Sequence, residues 1–258
     1  MKRLLVTASL DVRGVGRVTI DNAAKLNCVS SAVARELVAA MHAIGGAPGL
    51  RVVVLTGAGG KAFVGGANLD ELGALEPASA REFITRLHHC CAAMRDCPVP
   101  VIARVNGWCL GAGLELAAAC DFRIASGNAM FGMPEVRLGI PSVIEAALLP
   151  RLIGAGRARW LVLTGENIGA DEALRWGFLE RVVPPGDLDR EVDAAVEAIL
   201  QNSDAATRAQ KRLQRAYEDL PLDEAIRGSI DEFARSYESG EPQRLVDEFA
   251  AKRRRSRA

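Results

Sequence analysis

The chain has 258 residues with 32 acidic and 32 basic side chains, so its formal net charge is zero. A protein that binds nucleic acid through its whole surface would need a marked excess of basic side chains. The sequence has no such excess, so we do not expect nucleic-acid binding of this kind. Hydrophobic residues make up 49% of the sequence, which is typical of a globular protein with one large domain or a domain and an appendage. No apolar run approaches the roughly 18 residues of a membrane span, and Asp11 interrupts the N-terminal stretch too early for a signal peptide. We therefore expect a cytoplasmic protein without a membrane partner.

The cysteines and histidines give no sign of a metal site. None of the six cysteines forms a C-x-x-C pair, and three histidines provide no zinc-ligand spacing. The pattern favours reduced thiols that are buried as small hydrophobic side chains. The sequence lacks a G-x-S-x-G motif, and the histidines lie on predicted helices, where we expect them at the surface: His42, His88 and His89.

The first half of the chain predicts strands that alternate with helices. Alternating apolar residues over 4–20 predict a β-hairpin, and a helical period follows from Val29 to Ile44. The remaining predicted strands are 51–57, 101–107 and 121–125, and the predicted helices are about 78–96 and 113–120. This alternation is typical of a parallel sheet covered by helices.

After residues 178–185 the pattern becomes purely helical. The predicted helices are about 187–201, 203–219, 222–236 and 240–252. We therefore expect an α/β core with a C-terminal helical region. The basic tail at 251–258 is expected to be a solvated terminus rather than a nucleic-acid arm.

Two glycine-rich segments follow predicted strands and precede helices. They span residues 57–68 and 106–115. Glycine allows a ligand to approach the backbone, and a helix N-terminus offers unpaired N–H groups to negative charge. Neither segment matches a phosphate loop or a dinucleotide fingerprint. Their shared position after strands predicts one site at the carboxyl ends of a sheet.

Three glutamates are candidates for chemistry. Glu115 lies in a helix that is apolar nearly all round, where an acid is costly unless it is paired or used. Glu135 also stands among apolar residues, so the two are candidate paired carboxylates for acid–base work. Glu145 has a simpler interpretation, because Ser142 and Glu145 match an S-x-x-E capping box.

Several motifs resemble the crotonase superfamily, whose closest members are the enoyl-CoA hydratases and isomerases. The resemblance covers nearly the whole chain, and the motifs that carry it are GKAFVGGANLD (60–70), NGWCLGAGLELA (106–117), CDFRIA (120–125), FGMPEV (131–136), LVLTGE (161–166) and GFLERVV (177–183).

The resemblance implies a spiral of ββα units over residues 1–195 and a C-terminal helical oligomerisation region over 196–258. It implies an acyl-CoA substrate, a homotrimer or dimer of trimers, and no metal or redox cofactor, since coenzyme A is part of the substrate.

The resemblance also assigns site residues. The backbone N–H groups of Ala67 and Ala112 match the oxyanion hole for the thioester carbonyl, and Glu115 and Glu135 match the catalytic glutamates. The positions expected to bind the substrate and its CoA moiety, besides Ala67, are Lys25, Leu26, Gly65, Asn68, Leu69, Trp108, Gly111 and Pro134.

The sequence departs from the family pattern at several of these places. Asn68 stands where aspartate is common, and Asp70 stands where hydratases often have lysine. Ala112 replaces a glycine, and the expected glycine-rich stretch after Glu135 is replaced by GIPSVIEAALL (139–149). Val143 and Ile144 in that stretch predict a narrower acyl site, which Glu145 could face as a third acid.

The leading hypothesis is an enoyl-CoA hydratase that adds water reversibly to a 2-enoyl-CoA. An isomerase would need only one base, and a thioester hydrolase would need Glu145 to position water. A weakly catalytic relative that binds acyl-CoA or RNA is an alternative from another class, and the basic tail is its only support for RNA.

Overall fold

A computed structural model describes residues 4–255 of the chain. Residues 1–3, which belong to the stretch considered as a signal peptide, and the last three residues of the basic tail lie outside the described part. The chain divides between Gln201 and Asn202 into two compact units.

The strands of the first unit form two sheets. In chain order they are β1 (Val6–Leu10), β2 (Val15–Ile20), β3 (Val52–Gly57), β4 (Ala62–Val64), β5 (Val101–Val105), β6 (Trp108–Leu110), β7 (Phe122–Ser126), β8 (Met130–Gly132), β9 (Asn167–Gly169) and β10 (Arg181–Val183). The larger sheet has the order β1-β2-β3-β5-β7-β10, and the smaller has the order β4-β6-β8-β9. The hairpin β1–β2 and the pair β8–β9 are antiparallel, and every other pairing in the two sheets is parallel.

Helices and short 3₁₀ turns connect these strands. The helices of the first unit are α1 (Ser31–Gly45), α2 (Leu69–Leu72), α3 (Pro77–Arg95), α4 (Ala112–Ala119), α5 (Leu149–Ile153), α6 (Ala155–Thr164), α7 (Ala170–Trp176) and α8 (Leu188–Leu200). The 3₁₀ turns are Ala23–Lys25, Pro134–Leu138, Ile144–Leu148 and Pro185–Asp187. The strands follow one another in the pairs β3–β4, β5–β6 and β7–β8. The first strand of each pair belongs to the larger sheet and the second to the smaller sheet, and helical structure follows the second strand. This arrangement confirms the predicted ββα units.

The larger sheet is covered on both faces, which explains the continuous apolar runs of its central strands. Val53 and Leu55 of β3 pack into the core that also contains side chains of α1, α3 and α4. Val52 and Val54 point to the other face and pack into a second core with Val192 of α8 and its neighbours. Successive residues of a strand face opposite sides, so both faces need apolar side chains.

The predicted elements of the larger sheet and its helices are confirmed within one or two residues, but five strands were not predicted: β10 at the edge of the larger sheet and all four strands of the smaller sheet. β4, β6, β8 and β9 contain three residues each, which is too short for a period of two to be recognised. The predicted boundary after residue 195 falls inside α8. Val196 of that helix is buried in the second core, so α8 belongs to the first unit.

The second unit is helical, as predicted. It contains α9 (Asp204–Asp219), α10 (Leu222–Ser236) and α11 (Glu241–Arg255), with a 3₁₀ turn at Tyr237–Ser239. In the part of the chain that the structure describes, no helix combines the length and the apolar character needed to cross a membrane.

Candidate active site

A cavity of about 440 Å³ lies where the two glycine-rich segments meet. Gly65 follows β4 and Gly111 follows β6, and these strands are parallel neighbours in the smaller sheet. The carboxyl ends of parallel strands lie at one edge of a sheet, so both glycines reach the same cavity wall. The two segments meet at one cavity, as predicted, but the strands that end there are β4 and β6 of the smaller sheet rather than the predicted strands 51–57 and 101–107.

Two backbone N–H groups are available in this wall, those of Ala67 and Ala112. Ala67 lies opposite Val29 in an isolated parallel bridge, whose hydrogen bonds use the Gly66 carbonyl and the Asn68 N–H. Ala112 is the first residue of α4, where an N–H group has no partner within the helix. Both alanines line the cavity. Among the described residues, neither N–H has a hydrogen-bond acceptor.

Glu115 projects from the first turn of α4 and is only 4% exposed. Its Oε1 atom accepts a hydrogen bond of 3.1 Å from the N–H of Ala146. Burial raises the pKa of Glu115 to about 8. The negative charges of Glu135 and Glu145 also raise this pKa, whereas the hydrogen bond from Ala146 lowers it. A carboxyl group in this environment keeps its proton near neutral pH and can donate it.

Glu135 lies in the 3₁₀ turn that follows β8. Its Oε2 atom accepts a hydrogen bond of 2.8 Å from the hydroxyl of Ser142. Burial raises the pKa of Glu135, while hydrogen bonds from its own backbone N–H and from Ser142 lower it. The carboxylate lies directly over Gly111, whose φ of +51° suits glycine, and a Cβ atom at that position would overlap Oε1 of Glu135.

The capping-box interpretation of Ser142 and Glu145 is wrong. The 3₁₀ turn Ile144–Leu148 has Val143 at its N-cap and no side-chain cap. The Ser142 hydroxyl donates to Glu135, and the Glu145 carboxylate contacts His88 Nδ1 at 2.9 Å. Each side chain therefore has a tertiary partner, which the local spacing could not reveal.

The segment before α1 forms another side of the cavity. Leu26 and Asn27 adopt left-handed backbone conformations with φ of +51° and +57°. Asn27 is fully buried, and its amide donates to the carbonyls of Ala58 and Ala62, which stabilises the turn. Leu26 consequently lines the cavity, whereas the Lys25 side chain forms an exposed ion pair of 3.0 Å with Asp70.

Most residues predicted for the site come together in this cavity. Those that line it are Leu26, Gly65, Ala67, Leu69, Gly111, Ala112, Glu115, Pro134 and Glu135. Four others are not part of its wall: Lys25, Asn68, Trp108 and Glu145. Asn68 has a structural role instead, because its side chain caps α2 by accepting from the N–H of Glu71 at 2.9 Å.

The family resemblance placed segment 139–149 at the acyl site, but no sequence pattern identified the side chains of α2 and α3 at the apolar end of the cavity. Leu72, Phe83, Ile84 and Leu87 line it from α2 and α3, and Ile140, Pro141 and Val143 line it from the substituted segment. The helical spacing of 83, 84 and 87 marks an inward face, but such a pattern does not distinguish a cavity wall from a filled core. Ile144 faces a different groove, so only Val143 of the two predicted bulky residues narrows this cavity.

The thiols follow the sequence prediction. All six cysteines are free, and all except the half-buried Cys28 are buried. Cys28 lines the cavity, and burial raises the pKa of its thiol. Within residues 4–255, no three His, Cys, Asp or Glu side chains are grouped so that they could hold a metal ion.

Several known proteins are similar to this chain in sequence and in fold. A family model described as enoyl-CoA hydratase/isomerase matches residues 11–256. The short-chain-enoyl-CoA hydratase of Clostridium acetobutylicum is 34% identical over 93% of this chain and 92% of its own length. The crotonyl-CoA hydratase of Syntrophomonas wolfei is 36% identical over 89% and 88%. The crystal structure of an enoyl-CoA hydratase from Bacillus anthracis superposes with a TM-score of 0.85 at 33% identity, over 89% of this chain and 90% of that one. Because the family model spans nearly all of the sequence, the chain belongs to the enoyl-CoA hydratase/isomerase family.

Proposed function

We propose that the protein catalyses the reversible hydration of a 2-enoyl-CoA thioester. The observation that carries this proposal is the meeting of a buried carboxyl group, Glu115, and a half-buried one, Glu135, with two unpaired N–H groups in one cavity. The curated relatives named above are hydratases of short-chain substrates, which supports the same reaction.

The N–H groups of Ala67 and Ala112 bind the thioester carbonyl oxygen in this proposal. When water adds to C3, the C2=C3 electron pair shifts toward that oxygen and negative charge develops there. Donors fixed in the backbone stabilise this charge without reorganisation, and one such donor typically lowers the barrier by ~3 kcal/mol.

The two glutamates hold the attacking water between them. One carboxylate removes a proton from the water as its oxygen bonds to C3, and a proton is delivered to C2, so the product is a 3-hydroxyacyl-CoA. The different surroundings of the two groups favour Glu115 as the protonated partner and Glu135 as the base, because pKa values that differ separate acid from base. The reaction requires no metal or redox cofactor, and coenzyme A enters as part of the substrate.

The apolar end of the cavity favours a short, uncharged acyl chain. Leu72, Phe83, Leu87 and Val143 surround it with hydrocarbon, so a charged group placed among these four side chains would lose its hydration; Arg137 is the basic residue that also lines the cavity. An isomerase would need only one of the two carboxyl groups. A thioester hydrolase would need Glu145 to hold water, and Glu145 is absent from the cavity wall.

We also propose a cytoplasmic homotrimer or dimer of trimers. The second unit supplies a surface for such contacts, because four apolar side chains of α10 are exposed along one face of the helix: Leu222, Ile226, Ile230 and Phe233.

Product analysis by mass spectrometry tests the reaction. A short unbranched 2-enoyl-CoA incubated with the purified protein should give a CoA ester that is heavier by one water. A product of unchanged mass with a displaced double bond would indicate an isomerase, and free CoA with the carboxylic acid would indicate a hydrolase. Either of these products in place of the hydrated ester would contradict the proposal.

A further inference from the structure

Glu145 is a buried acid that the proposed hydration chemistry does not use. It is 5% exposed, and its Oε1 atom lies 2.9 Å from Nδ1 of His88 on α3. Its Oε2 atom is buried, and no hydrogen-bond partner for it exists among the described residues. A buried carboxylate with one unsatisfied oxygen is costly, so its partner His88 is important for keeping it in place.

The turn that carries Glu145 also holds Glu115. Ala146, the next residue in the 3₁₀ turn Ile144–Leu148, donates its N–H to Oε1 of Glu115. Ile144 adopts a left-handed conformation with φ of +44°, which is strained for a β-branched residue and needs support from its surroundings. The contact between His88 and Glu145 ties this turn to α3 and supplies such support.

The groups around the pair determine its charge. From α3, His88, Cys90 and Cys91 face Glu145, and burial raises the pKa of both thiols, so they are neutral. Glu115 faces it from α4, and Glu135 acts on Glu115 from the opposite side of the cavity. Two further basic side chains of the neighbouring elements are exposed, His89 on α3 and Arg151 on α5, and α3 also carries the half-buried Arg86 and Arg95. The negative charge of Glu145 raises the pKa of Glu115. His88, which contacts Glu145, is half-exposed to solvent.

We propose that His88 and Glu145 form a positioning pair behind the active site, which fixes the Ala146 N–H against Glu115 and whose charge sets how firmly Glu115 holds its proton. The His88 ring contacts Oε1 of Glu145 and offsets part of its negative charge, whereas removal of the ring leaves that charge uncompensated beside Glu115. The inference deepens the proposed function, and it concerns protonation of Glu115 whether or not the reaction is hydration.

The test uses three full-length backgrounds: the parent chain, Glu145→Gln and His88→Asn. Glutamine keeps the shape of Glu145 without its charge, and asparagine keeps a donor near the position of Nδ1 without the imidazole ring. Each background is compared with the same chain carrying Glu115→Gln. The unfolding midpoint of each chain is measured as a function of pH. The part of this pH dependence that is lost on Glu115→Gln is due to titration of Glu115. This measurement needs no turnover, so it stays informative if the proposed reaction is wrong.

We expect the two substitutions to move the Glu115 titration in opposite directions. Glu145→Gln should lower its midpoint by about one pH unit, because a like charge has been removed. His88→Asn should raise it, because the Glu145 carboxylate loses its partner, and the pH profile of kcat should shift with it while KM changes little. His42→Asn, an exposed histidine on α1, is the control and should leave the titration unchanged.

Unchanged midpoints in both variants, or shifts in the same direction, would overturn the pair's electrostatic role. Circular dichroism at each pH verifies that each variant is folded. If one variant fails to fold, the sign of the shift in the other still decides the question.

Discussion

Glu115 and Glu135 meet at one cavity but have different partners. A backbone N–H group binds Glu115, and a serine hydroxyl binds Glu135. We predict that Glu115→Gln and Glu135→Gln each lower kcat for a 2-enoyl-CoA by at least ~100-fold, because each removes a group that moves a proton in the transition state. The isosteric amides should leave the circular dichroism spectrum unchanged. Near-normal turnover in both variants would remove these roles.

The raised pKa of Glu115 also affects stability. Between its ordinary value of 4.5 and about 8, the folded chain binds this proton and the unfolded chain does not. The free energy of unfolding should therefore fall as pH rises through this window, with a contribution of up to about 1.4 kcal/mol per pH unit.

The matched variant Glu115→Gln lacks this proton. Its stability relative to the parent should increase steadily from pH 4.5 to 8, as measured by urea unfolding at fixed ionic strength. A stability difference that is constant across the window would show that Glu115 titrates normally.

At the scale of elements, the turn between β6 and α4 brings the backbone close to Glu135. We predict that Gly111→Ala strongly lowers kcat, because its methyl group would displace the Glu135 carboxylate from its position. Gly139→Ala is a matched control, since Gly139 also has a positive φ but open space around it. Alanine at Gly139 adopts the left-handed region (φ 75°, ψ 18°) at a cost of about 1 kcal/mol, whereas Gly111 (φ 51°, ψ −120°) lies outside that region and strains an alanine more. The thermal midpoint should therefore fall further in Gly111→Ala, and activities are compared at a temperature where both variants are folded. Equal activity in the two variants would mean that Glu135 tolerates displacement.

Much of the architecture could be predicted from the sequence because its elements have strong local patterns. The run RVVVLTG predicts a strand buried on both faces, and β3 has a core on each side. The isolated acid in α4 predicts a buried carboxyl, and Glu115 is buried beside the cavity.

Other features depend on contacts between residues far apart in the chain. Ser142 and Glu145 match a capping box locally, but their partners Glu135 and His88 become neighbours only when the turn packs against α3 and α4. The three-residue strand β4 likewise acquires its structure from pairing with β6 rather than from its own pattern.

At the scale of the whole molecule, the exposed apolar face of α10 predicts self-association. We expect the purified chain to sediment as a trimer or a dimer of trimers. The double substitution Ile230→Glu and Phe233→Glu should shift the chain to lower oligomers or monomers. Carboxylates buried in an apolar contact between subunits would lose their hydration without gaining a partner. Asp231→Lys, an exposed change on the opposite side of the helix, should leave the assembly intact. A parent chain that sediments as a monomer would contradict this prediction.

The most direct test of the whole account is the ultraviolet absorbance of a conjugated thioester. Hydration removes the C2=C3 double bond from conjugation with the carbonyl, so absorbance should fall rapidly when the protein meets a short, unbranched 2-enoyl-CoA. The account predicts this fall in the parent chain and a rate at least ~100-fold lower in Glu135→Gln. Constant absorbance in the parent chain, with binding of the CoA ester still detectable, would contradict hydration as the reaction of this site.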